Sequence, residues 1–235
     1  MLQAAKSKRL LNRAVSDNSP ACIVLFAHGA SGWNARSDAF TNLLNEAAPS
    51  VSVVPLIYPY AADRSSRRVP PKAESLVAYH FERVQEVAAS HPKSWIVLAG
   101  HSMGSRVSAM VAALPNLPAQ VRGVICFSYP LVGINRSIRL APLEACRTPM
   151  FLFQGDRDSF FPSFAAAMVP CSARVHVING GDHSLCLTAK QLRSVCSGMP
   201  SQDLCDRALI LPALSEVFQE LRPLCCSKAT KRARL

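Results

Sequence analysis

Six short apolar runs punctuate the chain: Ala21–Ala27, Val51–Tyr58, Ser94–Ala99, Val121–Ser128, Met150–Gln154 and Arg174–Ile178. Each is rich in Val, Ile, Leu or Phe and nearly continuous in apolar character, the pattern of strands covered on both faces. Between them, apolar positions recur at helical spacing over Ser37–Ala47, Lys72–Ser90, Met103–Ala113, Ser163–Met168, Leu187–Cys196 and Asp206–Leu221. Lys72–Ser90 is the clearest. Leu76, Val77, Tyr79, His80, Val84, Val87 and Ala88 share one stripe, while Glu74, Glu82, Arg83 and Glu86 face away. Strand and helix alternating in this way predict an α/β fold, a mostly parallel, doubly wound sheet of about six strands with helices on both faces.

Composition narrows the picture. The 235 residues suit one α/β domain over 21–222, with a basic N-terminal tail at 1–20 and a basic C-terminal tail at 223–235. The longest apolar run, Ala21–Ala27, is far shorter than the roughly 18 residues of a membrane helix, so no transmembrane segment is expected. The nine cysteines are odd in number and scattered, without the close repeated spacing of a metal site. Cys22 and Cys126 fall inside apolar runs and read as core, and the adjacent Cys225 and Cys226 read as free thiols. With no signal-peptide core at the start, the expectation is an intracellular, cytoplasmic protein in a reducing compartment.

The net charge of +11 gathers in three places: Lys6, Lys8, Arg9 and Arg13; Lys228, Lys231, Arg232 and Arg234; and Arg64, Arg67, Arg68 and Lys72. These read as solvated tails and a charged loop, since nothing else resembles a nucleic-acid motif. Other targeting cues conflict. The final Ala233-Arg234-Leu235 matches a peroxisomal address, the run Lys228–Arg234 a nuclear signal, and the acid-free stretch before Asp17 a mitochondrial transit segment.

The chemistry centres on Gly100-His101-Ser102-Met103-Gly104, which follows the run Ser94–Ala99 and precedes a helix. That strand–turn–helix setting is what a G-x-S-x-G pattern needs to act as a nucleophile elbow. The turn is sharp enough to strain the serine, and Gly100 and Gly104 supply neighbours without side chains. A serine hydroxyl needs a base, and in this arrangement the acid and the histidine follow on loops after later strands. His183, in Gly180-Gly181-Asp182-His183-Ser184, is the candidate base. For the acid, Asp158 is chosen because a tight turn after Gly155 returns it over the sheet; Asp156 is a solvent-facing alternative, and Asp182 ranks below both as a brace of its loop. The other histidines, His80, His91, His101 and His176, read as structural. His28-Gly29-Ala30-Ser31-Gly32, directly after the first strand, is a candidate oxyanion turn, with the N–H groups of Ala30 and Met103 as donors.

Ala27-His28-Gly29-Ala30, Gly100 through Arg106, Tyr129-Pro130-Leu131, Phe153 through Asp158 and Gly181 through Leu185 together resemble the dienelactone-hydrolase-related branch of the α/β-hydrolases. Within it they resemble the testis-expressed hydrolase-like proteins and the hydrolase-like domain of a non-specific-lethal chromatin-complex subunit. The resemblance spans roughly residues 21–220 and implies Asp158 as the acid. The basic loop Ala61–Pro71 departs from it. The short segment Tyr129–Arg147 leaves no room for a sizeable lid. The expected function is hydrolysis of a small-molecule carboxylic ester or thioester through an acyl-enzyme, without metal or cofactor. The alternative, suggested by the chromatin-associated relatives, is a non-catalytic interaction module with a protein partner. A functioning peroxisomal address would favour an acyl-CoA thioester whose phosphates meet Arg64, Arg67 and Arg68.

Overall fold

In the computed structural model, residues 20–62, 69–195 and 201–226 are described, with side chains to residue 222. Residues 1–19 and 227–235, which hold most of the two basic tails, the arginines at 64, 67 and 68, Cys196 and the side chains of Cys225 and Cys226 lie outside the described residues; the backbone of 223–226 continues the last helix.

Six strands, β1 (Cys22–Ala27), β2 (Val51–Leu56), β3 (Trp95–His101), β4 (Val121–Phe127), β5 (Met150–Gly155) and β6 (Ala173–Ile178), form one parallel sheet in the order β2-β1-β3-β4-β5-β6. Because every strand runs the same way, all strand C-termini meet along one edge, where open α/β sheets bind ligands. The longer helices are α1 (Ala35–Ala47), α3 (Val77–Ser90), α4 (Met103–Ala112) and α9 (Leu211–Cys226). Shorter ones are α2 (Pro59–Ala62), α5 (Ala141–Ala145), α6 (Ser163–Ala166), α7 (Ala189–Val195) and α8 (Gln202–Leu209).

Alternation along the strands divides the core into two layers. Leu25 and Ala27 of β1 pack with Val84 of α3 and Val107 and Val111 of α4, while Cys22, Val24 and Phe26 pack with Leu43 and Leu44 of α1 and Leu214 and Phe218 of α9. Cys126 joins the first layer and Cys22 the second. An aromatic row runs across the second layer: Phe40 stacks on Phe127 at 4.3 Å between centroids, and Phe127 on its register partner Phe153 of β5 at 5.4 Å.

The predicted elements are all present, with differences at their ends. Interior strands are buried along nearly their whole length, but β2 and β6 are edge strands and half-exposed. β2 stops at Leu56, because the Tyr58 N–H donates to His28 Nε2 (3.1 Å) instead of continuing the ladder. The run Lys72–Ser90 opens with a tight 3-10 turn, Ala73–Leu76, before α3. α1 starts earlier than Ser37, where the Asn34 side chain accepts the N–H groups of Arg36 (3.0 Å) and Ser37 (3.2 Å). Asp206–Leu221 is not one helix but the pair α8 and α9, broken at Ile210. Pro212 has no N–H to continue the α8 ladder, and its ring would crowd the carbonyl four residues back. The β4–β5 connection holds a small bridge, Val132 to Ile138, and the short α5, and inserts no lid domain. No described helix is long and apolar enough to cross a membrane.

His80 of α3 is wholly buried, hydrogen-bonded through Nδ1 to the Tyr58 hydroxyl (3.0 Å), and its Nε2 has no partner. Burial holds its imidazole down to about 3, against an ordinary value of 6.5. Between those values the unfolded chain binds a proton that the folded chain refuses, so stability falls as pH is lowered through that window. One such group contributes about 1.4 kcal/mol per pH unit. Urea unfolding measured from pH 7 down to about 4.5 should show this loss, and His80→Gln should show a shallower one. Equal slopes in the two proteins would remove His80 as the cause.

Candidate active site

Strand β3 leads directly into Ser102, and α4 begins at the next residue. Ser102 adopts φ 53° and ψ −114°, a left-handed backbone that costs about 1–3 kcal/mol and persists only where the surroundings over-determine it. The surroundings are close. A Cβ on Gly100 would lie 2.5 Å from the Gly104 carbonyl carbon, and one on Gly104 would lie 2.2 Å from the Ala27 carbonyl oxygen. The Ser102 N–H is tied to the Phe127 carbonyl of β4 at 2.9 Å. The serine therefore projects at the start of α4, where the first N–H groups have no partner within the helix.

The loops after β5 and β6 are joined in the same manner. A Cβ on Gly155 would sit 2.1 Å from the Gly181 carbonyl oxygen. With glycine on both sides, the Arg157 N–H donates to Gly181 O (3.0 Å), the Arg157 side chain to Gly180 O (2.9 Å) and the Gly180 N–H to the Asp156 carboxylate (2.7 Å). Asp182 accepts the N–H groups of Ser184 (2.7 Å) and Cys186 (2.9 Å), closing the second loop on itself. Asp156 and Asp182 thus hold backbone.

Asp158 differs. Its N–H turns back to Gly155 O (3.2 Å), and its carboxylate, fully buried, accepts the Phe160 N–H at 2.8 Å. The other carboxylate oxygen lies 2.7 Å from His183 Nδ1, and His183 Nε2 lies 2.8 Å from Ser102 Oγ. A carboxylate only accepts, so Nδ1 carries the proton and Nε2 is left to accept from the serine. The structure brings Ser102, His183 and Asp158 into one hydrogen-bonded line.

His28 and His101 support this line from behind. His28 Nδ1 donates to the Gly29 carbonyl (2.7 Å). The Tyr60 hydroxyl (3.1 Å) and the Gly32 N–H (3.1 Å) donate to the same oxygen. Burial lowers the His28 pKa and raises that of Tyr60 to about 12, so one ring stays neutral and the other hydroxyl protonated. A trans peptide aims its C=O and N–H in opposite directions. Fixing the Gly29 carbonyl therefore fixes the Ala30 N–H, and Ala30 and Met103 line the same cleft as Ser102. His101 Nε2 donates to the His183 carbonyl (3.1 Å), and its ring lies 5.3 Å from Phe40. Burial pushes its pKa down to about 4.

A second support has no counterpart in the sequence reading. Arg36, in the first turn of α1, donates through Nε to Ser184 O (2.6 Å) and through both terminal nitrogens to the Asp206 carboxylate of α8. Gln202 donates to Asp206 (2.8 Å) and to Leu185 O (3.2 Å) and accepts the Leu187 N–H (3.0 Å). The histidine loop is thereby clamped to two helices. One signal was available: a cation in the first turn of a helix opposes the helix dipole, so Arg36 has to be held by something else.

The cleft above these groups has a volume of about 1190 Å³ and opens to solvent. Residues 20–208 match the family described as "Alpha/beta hydrolase domain". Solved structures share the fold at low identity. Est1E of Butyrivibrio proteoclasticus with bound ferulic acid is 15% identical, with 90% of this chain and 92% of that one covered and a TM-score of 0.63. A dienelactone hydrolase from Anabaena variabilis is 17% identical, with 86% and 88% covered and a TM-score of 0.59. A serine hydrolase without lid from Xanthomonas campestris is 17% identical, with 71% and 74% covered and a TM-score of 0.54. No curated protein matches the chain.

Breaking the clamp tests its weight. Asp206→Asn leaves Arg36, whose side chain is 12% exposed, without its carboxylate and should cost about 2–4 kcal/mol. The urea midpoint should fall, and amide exchange at residues 183–187 should quicken. An unchanged midpoint with unchanged exchange would mean that the loop holds itself.

Proposed function

We propose that this chain, which belongs to the α/β-hydrolase domain family, is a serine hydrolase that cleaves a carboxylic ester or thioester through an acyl-enzyme. The observation that carries the reading is the line Ser102 Oγ–His183 Nε2 (2.8 Å), His183 Nδ1–Asp158 (2.7 Å). In the first step, Ser102 Oγ forms a bond to the acyl carbon while its proton passes to His183 Nε2. Asp158 holds the ring in the tautomer that can accept it and stabilises the imidazolium. The developing oxyanion is met by the N–H groups of Ala30 and Met103, donors each worth about 3 kcal/mol of barrier. His183 then returns the proton to the leaving alcohol or thiol. Water repeats the sequence on the acyl-enzyme and releases the acid and free Ser102.

Within the family we place the chain in the dienelactone-hydrolase-related branch, beside the testis-expressed and non-specific-lethal-complex proteins, on the motifs from Ala27 to Leu185. The non-catalytic alternative is not favoured. A binding module has no use for a serine held in a left-handed turn, at a cost in stability, within 2.8 Å of a histidine.

A fluorophosphonate probe should label Ser102 in the folded chain and leave Ser102→Ala unlabelled. On a panel of short and long acyl esters, Ser102→Ala should abolish turnover, and Asp158→Asn should lower kcat by about 10³–10⁴-fold. Equal turnover by the wild type and Ser102→Ala would overturn the proposal.

A further inference from the structure

The two edges of the sheet are not alike. β2 is guarded against a further strand, because Pro55 has no N–H to give. β6 carries neither proline nor glycine, and no described strand lies beyond it. Gly155 pairs with Ile178, and the Asp156 N–H donates to Ile178 O (3.3 Å), which sets the phase of the ladder. Residues of a parallel strand bond the neighbour alternately, so Arg174, His176 and Ile178 turn their backbone groups to β5. Val175 and Val177 turn theirs outward, where they have no partner among the described residues.

The side chains give this edge a pattern. Val175 packs at the margin of the first core layer, and Val177, pointing to the same face, is 54% exposed. On that face α6 packs through Ala165, while Phe164 and Met168 are exposed. The other face is charged. Arg174 pairs with Glu220 of α9, and Glu216, one helical turn back, places its charge near His176. The edge thus carries a cation toward its start and an anion beside its middle.

We propose that β6 pairs with β6 of a second copy of this chain, antiparallel about a two-fold axis at His176, so that Val175 of each copy faces Val177 of the other. In that register both outward-turned residues of each copy exchange N–H and C=O groups with the other. Valine meets valine on one face. On the other, Arg174 of each copy comes alongside Ile178 of the other, one step from Glu216, so cation approaches anion and like charges stay apart. The two His176 rings meet at the axis, and burial, which lowers the His176 pKa, keeps them uncharged near neutral pH. An unrelated strand would satisfy the backbone alone; the valine and charge pattern singles out this chain as its own partner. The two-fold reverses the strands, so the two clefts open in opposite directions and neither is covered.

Sedimentation velocity on the full chain, run from low to high micromolar concentration, should show the mass rising from 25.4 kDa to twice that value. Val177→Lys, at an exposed position, should weaken the dimer at least about tenfold, and Val177→Thr should keep it. Glu216→Arg should also weaken it, and adding Arg174→Glu should restore part of the loss. A second measurement needs no variant to fold. Amide exchange read residue by residue should find the N–H groups of Val175 and Val177 open in dilute solution and protected in concentrated solution, with His176 protected in both. A monomer at every concentration overturns the proposal, as does a dimer that Val177→Lys leaves intact. Protection of Val175 and Val177 that does not depend on concentration would mean that the chain covers its own edge, and overturns it equally.

Discussion

Backbone lying directly on backbone, at contacts that no Cβ could enter, is the constraint from which the rest of this site follows. Gly104 sets the start of α4 against the end of β1, Gly100 closes the elbow on that same turn, and Gly155 lets the β5 and β6 loops bond edge to edge. A parallel sheet delivers these loops to one edge but leaves them about 4.8 Å or more apart, strand by strand. The glycine contacts bring them closer. Only then can a serine after β3, a carboxylate after β5 and a histidine after β6 share two hydrogen bonds of 2.8 and 2.7 Å.

Much of this was legible in the residue pattern, for physical reasons. β1, β3, β4 and β5 are buried on both faces along nearly their whole length and so appear as nearly continuous apolar runs. The edge strands β2 and β6 were found as well, although their half-exposure was not, because Val53 or Val177 looks the same at an edge as in the middle. Helix ends were harder to read. The Asn34 cap and the break at Ile210 depend on single residues, and the break follows from Pro212 within an otherwise continuous stripe. At the site, Ser102 and His183 stood out through their order after strands, and Asp158 was separated from Asp156 by the logic of one tight turn. The clamp of Arg36 on Ser184 and Asp206 was not visible, since it joins positions 148 and 170 residues apart with no local signature.

Burial gives the histidines of this chain different parts. His183, at the surface of the cleft, touches the serine and the acid. His28 and His101 are held neutral by burial and act on backbone, His28 on the Gly29 carbonyl and the Tyr58 N–H and His101 on the His183 carbonyl. His80, likewise without exposure, bonds a side chain, the Tyr58 hydroxyl, and belongs to the core.

The Gly29 carbonyl accepts from three donors, His28, Tyr60 and Gly32. Each accepted bond draws electron density toward the oxygen and leaves the N–H at the far end of the same peptide more positive. Such polarisation strengthens neighbouring hydrogen bonds by roughly 10–30% per bond. The turn after β1 therefore does more than fix the Ala30 N–H: it makes that peptide a stronger dipole than an ordinary loop amide, whether or not the cleft is occupied.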